Sequence, residues 1–137
     1  MRLDIYLNYS GNCEQAFRFY EKELGGKISM IMRHGDLPES RVPPDWKAAI
    51  LHARLEIGNA VLMGADIPNA QPMRSAYVTL TLDSVEATER VYRVLSEGGE
   101  IFMKLEQTFF ARRFAMLRDR FGTSWMLLHD VQAAPGA

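Results

Sequence analysis

The side chains that could do chemistry are few, and Cys13 is the first of them along the chain. It directly follows Asn12, a residue type favoured at helix N-caps. A cysteine in the first turn of a helix could act as a nucleophile, since the helix dipole lowers the pKa of a thiol. No histidine is close in sequence to serve as its base, and Ala16 and Phe17 share its predicted helix face. The pattern therefore favours a buried, unreactive thiol.

The histidines are the next candidates, since imidazole binds metals and transfers protons. His34 falls in a polar, proline-rich loop, His52 within a strand pattern and His129 near the end of another. No second histidine or carboxylate stands at ligand spacing beside His34 or His52. A solvated or locally hydrogen-bonded role is the favoured interpretation for all three.

The remaining distinctive chemistry is soft and apolar, because the chain holds eight methionines and 10% aromatic residues. Thioethers and aromatic rings together form adaptable linings that suit flat or apolar ligands. The pair Arg112-Arg113 could hold a carboxylate or phosphate. A solvated pair on an edge strand is the simpler interpretation of these two arginines.

Composition excludes several classes of protein. Sixteen Lys and Arg against seventeen Asp and Glu give a net charge of -1, without the basic excess of a nucleic-acid-binding surface. No apolar run approaches the roughly 18 residues that cross a membrane. The start MRLDIY lacks the features of a signal peptide, and a single cysteine allows no intramolecular disulfide. We therefore expect a cytoplasmic protein without nucleic-acid or membrane partners.

The elements that must position these side chains form a unit that occurs twice. Alternation over residues 3–9 predicts a strand, a helix follows from Asn12 to Gly25-Gly26, and KISMIM begins the next strand. The stretch 77–105 repeats this order, with Ser84 as the predicted N-cap and Gly98-Gly99 as the end of the helix. Hairpin signals complete each half, so the order is β-α-β-β-β twice. The sequence predicts one α+β domain over 1–137, with modules at about 1–66 and 76–130.

Two motifs carry a resemblance to a known family. YLNYSGNCEQAFRFYEKELGG and TFFARRFAMLRDRFGTSWML resemble the vicinal oxygen chelate superfamily of glyoxalase I and the fosfomycin- and bleomycin-resistance proteins, and within it the PhnB-like branch. The resemblance implies two βαβββ modules whose sheets curl into half-open cups and enclose a pocket. It also implies a homodimer.

The metal-dependent members of that family hold a divalent ion with inward His and Glu side chains. The positions of these ligands correspond to Ile5, Met63, Tyr77 and Met126. Isoleucine is not a ligand and a thioether is a weak one, so the set does not suit a hard or borderline metal. We therefore expect no metal and no cofactor.

The resemblance and the alternation of the strands together predict a cup that binds a small aromatic or apolar molecule, for sequestration or for simple chemistry. Neither assigns a catalytic residue, and Met126 is an alternative to Trp125 on the last strand. The predicted ligand-binding residues are Tyr9, Met32, Met63, Tyr77, Thr79, Phe110, Arg113 and Trp125.

Two other functions stay open at this stage. One is a metal-dependent lyase, isomerase or transferase of the glyoxalase type, in which the donors would be His34, His52, Glu56 and Glu106. The other is a structural or regulatory dimer whose cup is filled by its own side chains. The sequence does not distinguish an enzyme from a binding protein.

Overall fold

A computed structural model describes residues 1–38 and 42–131 of this chain. Residues 39–41 and 132–137, which belong to the predicted domain, lie outside the described residues. The chain divides into two compact units, unit 1 (Met1–Gln71) and unit 2 (Pro72–Ala137).

The described residues of each unit form one α-helix and one sheet. The elements of unit 1 are β1 (Ile5–Tyr9), α1 (Cys13–Leu24), β2 (Lys27–Arg33), β3 (Ile50–Ile57) and β4 (Ala60–Asp66), with 3₁₀ turns at His34–Asp36 and Pro44–Trp46. The elements of unit 2 are β5 (Val78–Leu82), α2 (Val85–Ser96), β6 (Glu100–Glu106), β7 (Ala111–Arg118) and β8 (Ser124–Val131).

The two sheets have the same topology. Their strand orders are β1-β4-β3-β2 and β5-β8-β7-β6, and in each the first strand pairs in parallel with the last one while the other pairs are antiparallel. The predicted α+β fold with two βαβββ modules is therefore confirmed. The hairpin turn at Gly58 has a φ of 57°, a backbone conformation that glycine adopts without strain.

The core of unit 1 lies between α1 and one face of its sheet. The helix buries Cys13, Ala16, Phe17 and Tyr20, the apolar stripe that the sequence predicts. Gly64 on β4 lies directly beneath it, and a Cβ there would come within 2.7 Å of the Phe17 ring. The absence of a side chain at Gly64 therefore lets the helix pack closely against the sheet.

The core of unit 2 is built in the same way. The α2 helix buries Thr88, Val91 and Leu95, and Trp125 on β8 is fully buried. The Trp125 indole Nε1 donates to Asp119 Oδ2 at 2.8 Å, so its polar atom is satisfied inside the core.

The two helices begin in different ways. Ser84 caps α2 as predicted, since its Oγ accepts from the Ala87 N–H at 3.0 Å. Asn12 occupies the N-cap of α1 but makes no side-chain capping bond within the described part of the chain. The buried carboxylate of Asp66 does this instead, because its Oδ1 accepts from the N–H groups of Gly11 and Cys13, both at 2.9 Å. The expected Asn12 cap is thus replaced by a residue from β4.

None of the helices formed by residues 1–38 and 42–131 is long and apolar enough to cross a membrane.

Removal of each cap should reveal this difference in a urea unfolding titration. We expect Ser84→Ala to lower the free energy of unfolding by about 1 kcal/mol. Asp66→Ala should lower it by about 3 kcal/mol or more, because Oδ2 also accepts from the Ile50 N–H at 2.8 Å. Asn12→Ala should change it by less than about 0.5 kcal/mol.

Asp4→Ala is the control for loss of an aspartate, since among the described residues the charged partner of Asp4 is the exposed Arg2. An effect of Asn12→Ala as large as that of Ser84→Ala would contradict the assignment of the cap to Asp66.

Candidate ligand-binding faces

Each sheet has a second face that its helix does not cover, because successive side chains of a strand point to opposite sides. We call these surfaces open face 1 and open face 2. The residues that define open face 1 are Tyr6, Met30, Met32, His52, Arg54 and Met63. The residues that define open face 2 are Tyr77, Thr79, Phe102, Met103, Phe114, Met116 and Met126.

A row of four side chains crosses open face 1. Tyr6 is in register with Met63, Met63 with Arg54, and Arg54 with Met30. Their strands are neighbours, so these side chains stand side by side across the sheet. Tyr6 is 48% exposed and Met30 41% exposed, so much of this row is accessible to a molecule lying on it.

A tyrosine–histidine pair adjoins this row. The rings of Tyr6 and His52 are stacked with centroids 5.6 Å apart, and Tyr6 Oη lies 3.1 Å from His52 Nδ1. Partial burial raises the pKa of Tyr6, with a smaller contribution from Cys13, so the phenol stays protonated at neutral pH. It donates to Nδ1 in the tautomer that carries the imidazole proton on Nε2.

Open face 2 has a comparable row of soft side chains. Thr79 is in register with Met126, Met126 with Met116, and Met116 with Met103. At one end of the face the Phe110 ring packs on Phe114 with centroids 5.2 Å apart. Three neighbouring thioethers therefore lie next to an aromatic pair.

An aromatic and cationic cluster lies at the other end of open face 2. The ring centroids of Tyr77 and Phe102 are 6.5 Å apart. Tyr77 directly precedes β5 and Phe102 lies on β6, and β5 and β6 are the two edge strands of the sheet. The sheet is therefore strongly curved. The Arg74 guanidinium lies 3.9 Å from the Phe102 ring centroid and donates to Tyr77 Oη at 3.2 Å. Arg118 lies over the same ring at 5.6 Å.

Five of the eight predicted ligand-binding residues lie on or beside the open faces. Met32 and Met63 lie on open face 1, and Tyr77 and Thr79 on open face 2, with Phe110 at the edge of that face.

Three of the predicted residues lie on the helix sides of their sheets. Tyr9 is 2% exposed and packs edge-on against Phe17, and Trp125 is 0% exposed. Arg113 extends towards α2, where its guanidinium lies 3.7 Å from the Glu89 carboxylate. The alternative on the last strand, Met126, is the residue that reaches open face 2.

Of the four positions that the resemblance matches to metal ligands, Ile5 lies on the helix side of its sheet. Ile5 shares the helix side with Leu7, and its neighbour Tyr6 is the residue on open face 1. Met63 lies on that same face, and Tyr77 and Met126 lie on open face 2. Across residues 1–38 and 42–131, no group of three His, Cys, Asp or Glu side chains is placed to hold a metal ion.

Each of the three histidines, including the possible donors His34 and His52, contacts another residue of the protein. His34 Nε2 is 3.1 Å from the Asp66 carbonyl oxygen, and His52 contacts Tyr6. His129 Nδ1 is 2.8 Å from the Leu82 carbonyl oxygen. Each imidazole therefore has a local hydrogen bond, as the sequence suggests.

Sequence reasoning missed Tyr6, Arg54, Phe102 and Arg74 as members of the open faces. The alternation of β1 identifies Tyr6 once Leu7 and Tyr9 are assigned to the helix side. Phe102 follows a register shift in the pairing of β6 with β7, and no pattern along the chain signals it. Arg74 lies before β5, outside any periodic pattern.

Cys13, the first residue of α1, is fully buried. Its burial, together with the carboxylates of Asp66 and Glu14, raises the pKa of the thiol far above its usual range. Because thiolate is the reactive form, this environment suppresses nucleophilic chemistry. The predicted buried thiol is confirmed.

Two βαβββ units, each with one curved sheet and one covering helix, define a protein of the glyoxalase-like fold class. The model of the Glyoxalase/Bleomycin resistance protein/Dioxygenase superfamily matches residues 2–127. This chain therefore belongs to that superfamily.

Individual proteins are also similar to this chain. Protein YjdN of Escherichia coli (strain K12) is 33% identical over 141 residues, which cover 93% of this chain and 94% of YjdN. The crystal structure of PA1353 from Pseudomonas aeruginosa is 38% identical with a TM-score of 0.85, covering 95% of this chain and 98% of PA1353. A PhnB protein from Bacillus cereus, 24% identical with a TM-score of 0.81 over 94% and 99% of the two chains, shares the fold.

The burial of Cys13 predicts that a thiol reagent reaches it only after unfolding. We expect the reaction of the native protein with 5,5′-dithiobis(2-nitrobenzoate) to be about a thousandfold or more slower than that of the urea-unfolded protein, the ratio of folded to unfolded molecules in an ordinary domain. Absorbance of the released thiolate measures both rates. Fast, stoichiometric reaction of the native protein would contradict the buried placement.

Proposed function

We propose that this protein binds a small aromatic or apolar molecule on the open faces of its sheets without a metal ion. The observation that carries the proposal is the composition of these faces, where rings and thioethers stand side by side and partly exposed. Exposed apolar groups clustered in this way favour a partner that removes them from water.

The energetic gain from such binding is appreciable. Complete burial of a methionine side chain contributes about 1.5–3 kcal/mol relative to its exposed state. Met30 and Met32 are 41% and 37% exposed, so a ligand that covered both would recover a substantial part of that free energy. Unbranched thioethers also adjust their rotamers to a flat ligand at low cost.

Polar groups at the margins of the faces would orient the ligand. On open face 2 the Tyr77 hydroxyl and Thr79 are adjacent to the methionines. On open face 1 the Tyr6–His52 pair is adjacent to the methionines of that face. Ligand sites commonly combine an apolar lining with a few placed polar groups. The proposal concerns binding and assigns no catalytic residue.

We also propose membership of the PhnB-like branch and assembly as a homodimer. The motif around residues 6–26 supports the branch. Ile101 on the edge strand β6 is 47% exposed, and a second copy of the chain would cover an apolar side chain of this kind.

Fluorescence of N-phenyl-1-naphthylamine, an uncharged aromatic probe, tests the binding proposal. We expect saturable enhancement with the natural protein and a dissociation constant about tenfold higher for the double variant Met63→Ala/Met126→Ala, which corresponds to about 1.4 kcal/mol. Leu3→Ala is the control, since Leu3 is 94% exposed and precedes β1. Absence of saturable binding to the natural protein would refute the proposal.

Measurement of the metal content tests the proposal that binding does not require a metal ion. We expect the untagged protein to contain no stoichiometric metal, and its melting temperature not to rise on addition of Zn²⁺, Ni²⁺ or Mn²⁺, because Tyr6, Met63, Tyr77 and Met126 are poor ligands for these ions. A rise that saturates at one ion per chain would instead support the glyoxalase-type enzyme.

A further inference from the structure

Arg54 stands in the middle of open face 1. Its strand β3 is an inner strand of the sheet, and its neighbours in register are Met63 on β4 and Met30 on β2. The guanidinium Nη1 lies 3.6 Å from the Met63 thioether sulfur, a weak acceptor. A permanent positive charge is thus held half-buried between two apolar side chains.

Arg54 differs in this respect from the other arginines that the structure describes in unit 1. Arg2 pairs with Asp4 at 3.0 Å, and Arg18 and Arg33 pair with Glu14 at 3.2 and 2.7 Å. Within the described part of the chain Arg54 has no carboxylate within 4.0 Å. Glu56 lies two residues further along the same face, in register with Val61. Among the described residues it forms no ion pair with Arg54.

The surroundings of Arg54 suit a flat ring. The stacked rings of Tyr6 and His52 and the thioethers of Met30 and Met63 adjoin the guanidinium on the same surface. A guanidinium binds carboxylate and related oxyanions through two parallel hydrogen bonds, and does so more strongly where neighbouring apolar groups exclude water.

We propose that open face 1 binds an aromatic molecule that carries a single anionic group, with the ring on the methionines and the Tyr6–His52 pair and the anion on Arg54. This inference rests on the proposed function and specifies its ligand class. The ligand would supply the counter-ion that no described residue gives to Arg54.

Two matched probes separate the charge from the ring. 8-Anilinonaphthalene-1-sulfonate is N-phenyl-1-naphthylamine with one added sulfonate, so both present the same rings. We expect Arg54→Met, which removes the charge but keeps an apolar stem, to weaken binding of the sulfonate probe about tenfold and to change binding of the neutral probe by less than twofold. Arg54→Lys should retain part of the affinity for the sulfonate probe.

Arg18→Met is the control, since it removes a cation from the exposed surface of α1. It should leave both dissociation constants unchanged, and urea unfolding should show that each variant is folded. Raising the salt concentration should weaken binding of the sulfonate probe to the natural protein but not binding of the neutral probe. It should have no such effect on the Arg54→Met variant.

The other outcomes are distinct. Suppose that both probes bind the natural protein. If Arg54→Met then leaves the affinity for the sulfonate probe unchanged, or lowers the affinity for both probes equally, the anion assignment is overturned and the proposed function stands. If neither probe binds the natural protein, the proposed function fails, and the ligand class fails with it.

Discussion

A four-stranded sheet has two faces, and each unit of this protein has one α-helix to cover them. The helix buries one face, and the alternation of strand side chains then decides which residues stay on the other. In unit 1 this constraint places Leu7 and Tyr9 beneath α1 and leaves Tyr6 outside. The candidate sites are consequences of this division, because they consist of the side chains that the helices do not bury.

The two units satisfy the same fold with different local chemistry. Helix α2 is capped by its own Ser84, whereas α1 depends on Asp66 from the last strand of its sheet. Asp66 also accepts from the Ile50 N–H at the start of β3, so one carboxylate joins three separate segments of unit 1. The two units thus share a topology, while the interactions that fix each helix differ.

The arginines of the open faces differ in the partners of their guanidinium groups. Arg74 and Arg118 lie over the Phe102 ring, and Arg118 also pairs with Glu100 at 2.9 Å, so the protein itself supplies their partners. Arg54 contacts a thioether instead. Among the described residues no carboxylate pairs with Arg54, and a half-buried cation in such surroundings reduces stability.

Local patterns determined most of the fold. The period of the helices, the glycine pairs and the hairpin signals gave the two βαβββ units, because these features depend on residues close together in the chain. The candidate site was only partly predictable. Met32, Met63, Tyr77 and Thr79 were placed on open faces, but Tyr9 and Trp125 lie in the core and Arg113 extends to α2. A shift of one residue along a strand moves a side chain to the other face, and only packing against the helix fixes that choice. Pairs such as Tyr6–His52 and Tyr77–Phe102 join strands that are not neighbours in the chain, so the tertiary structure alone brought them together.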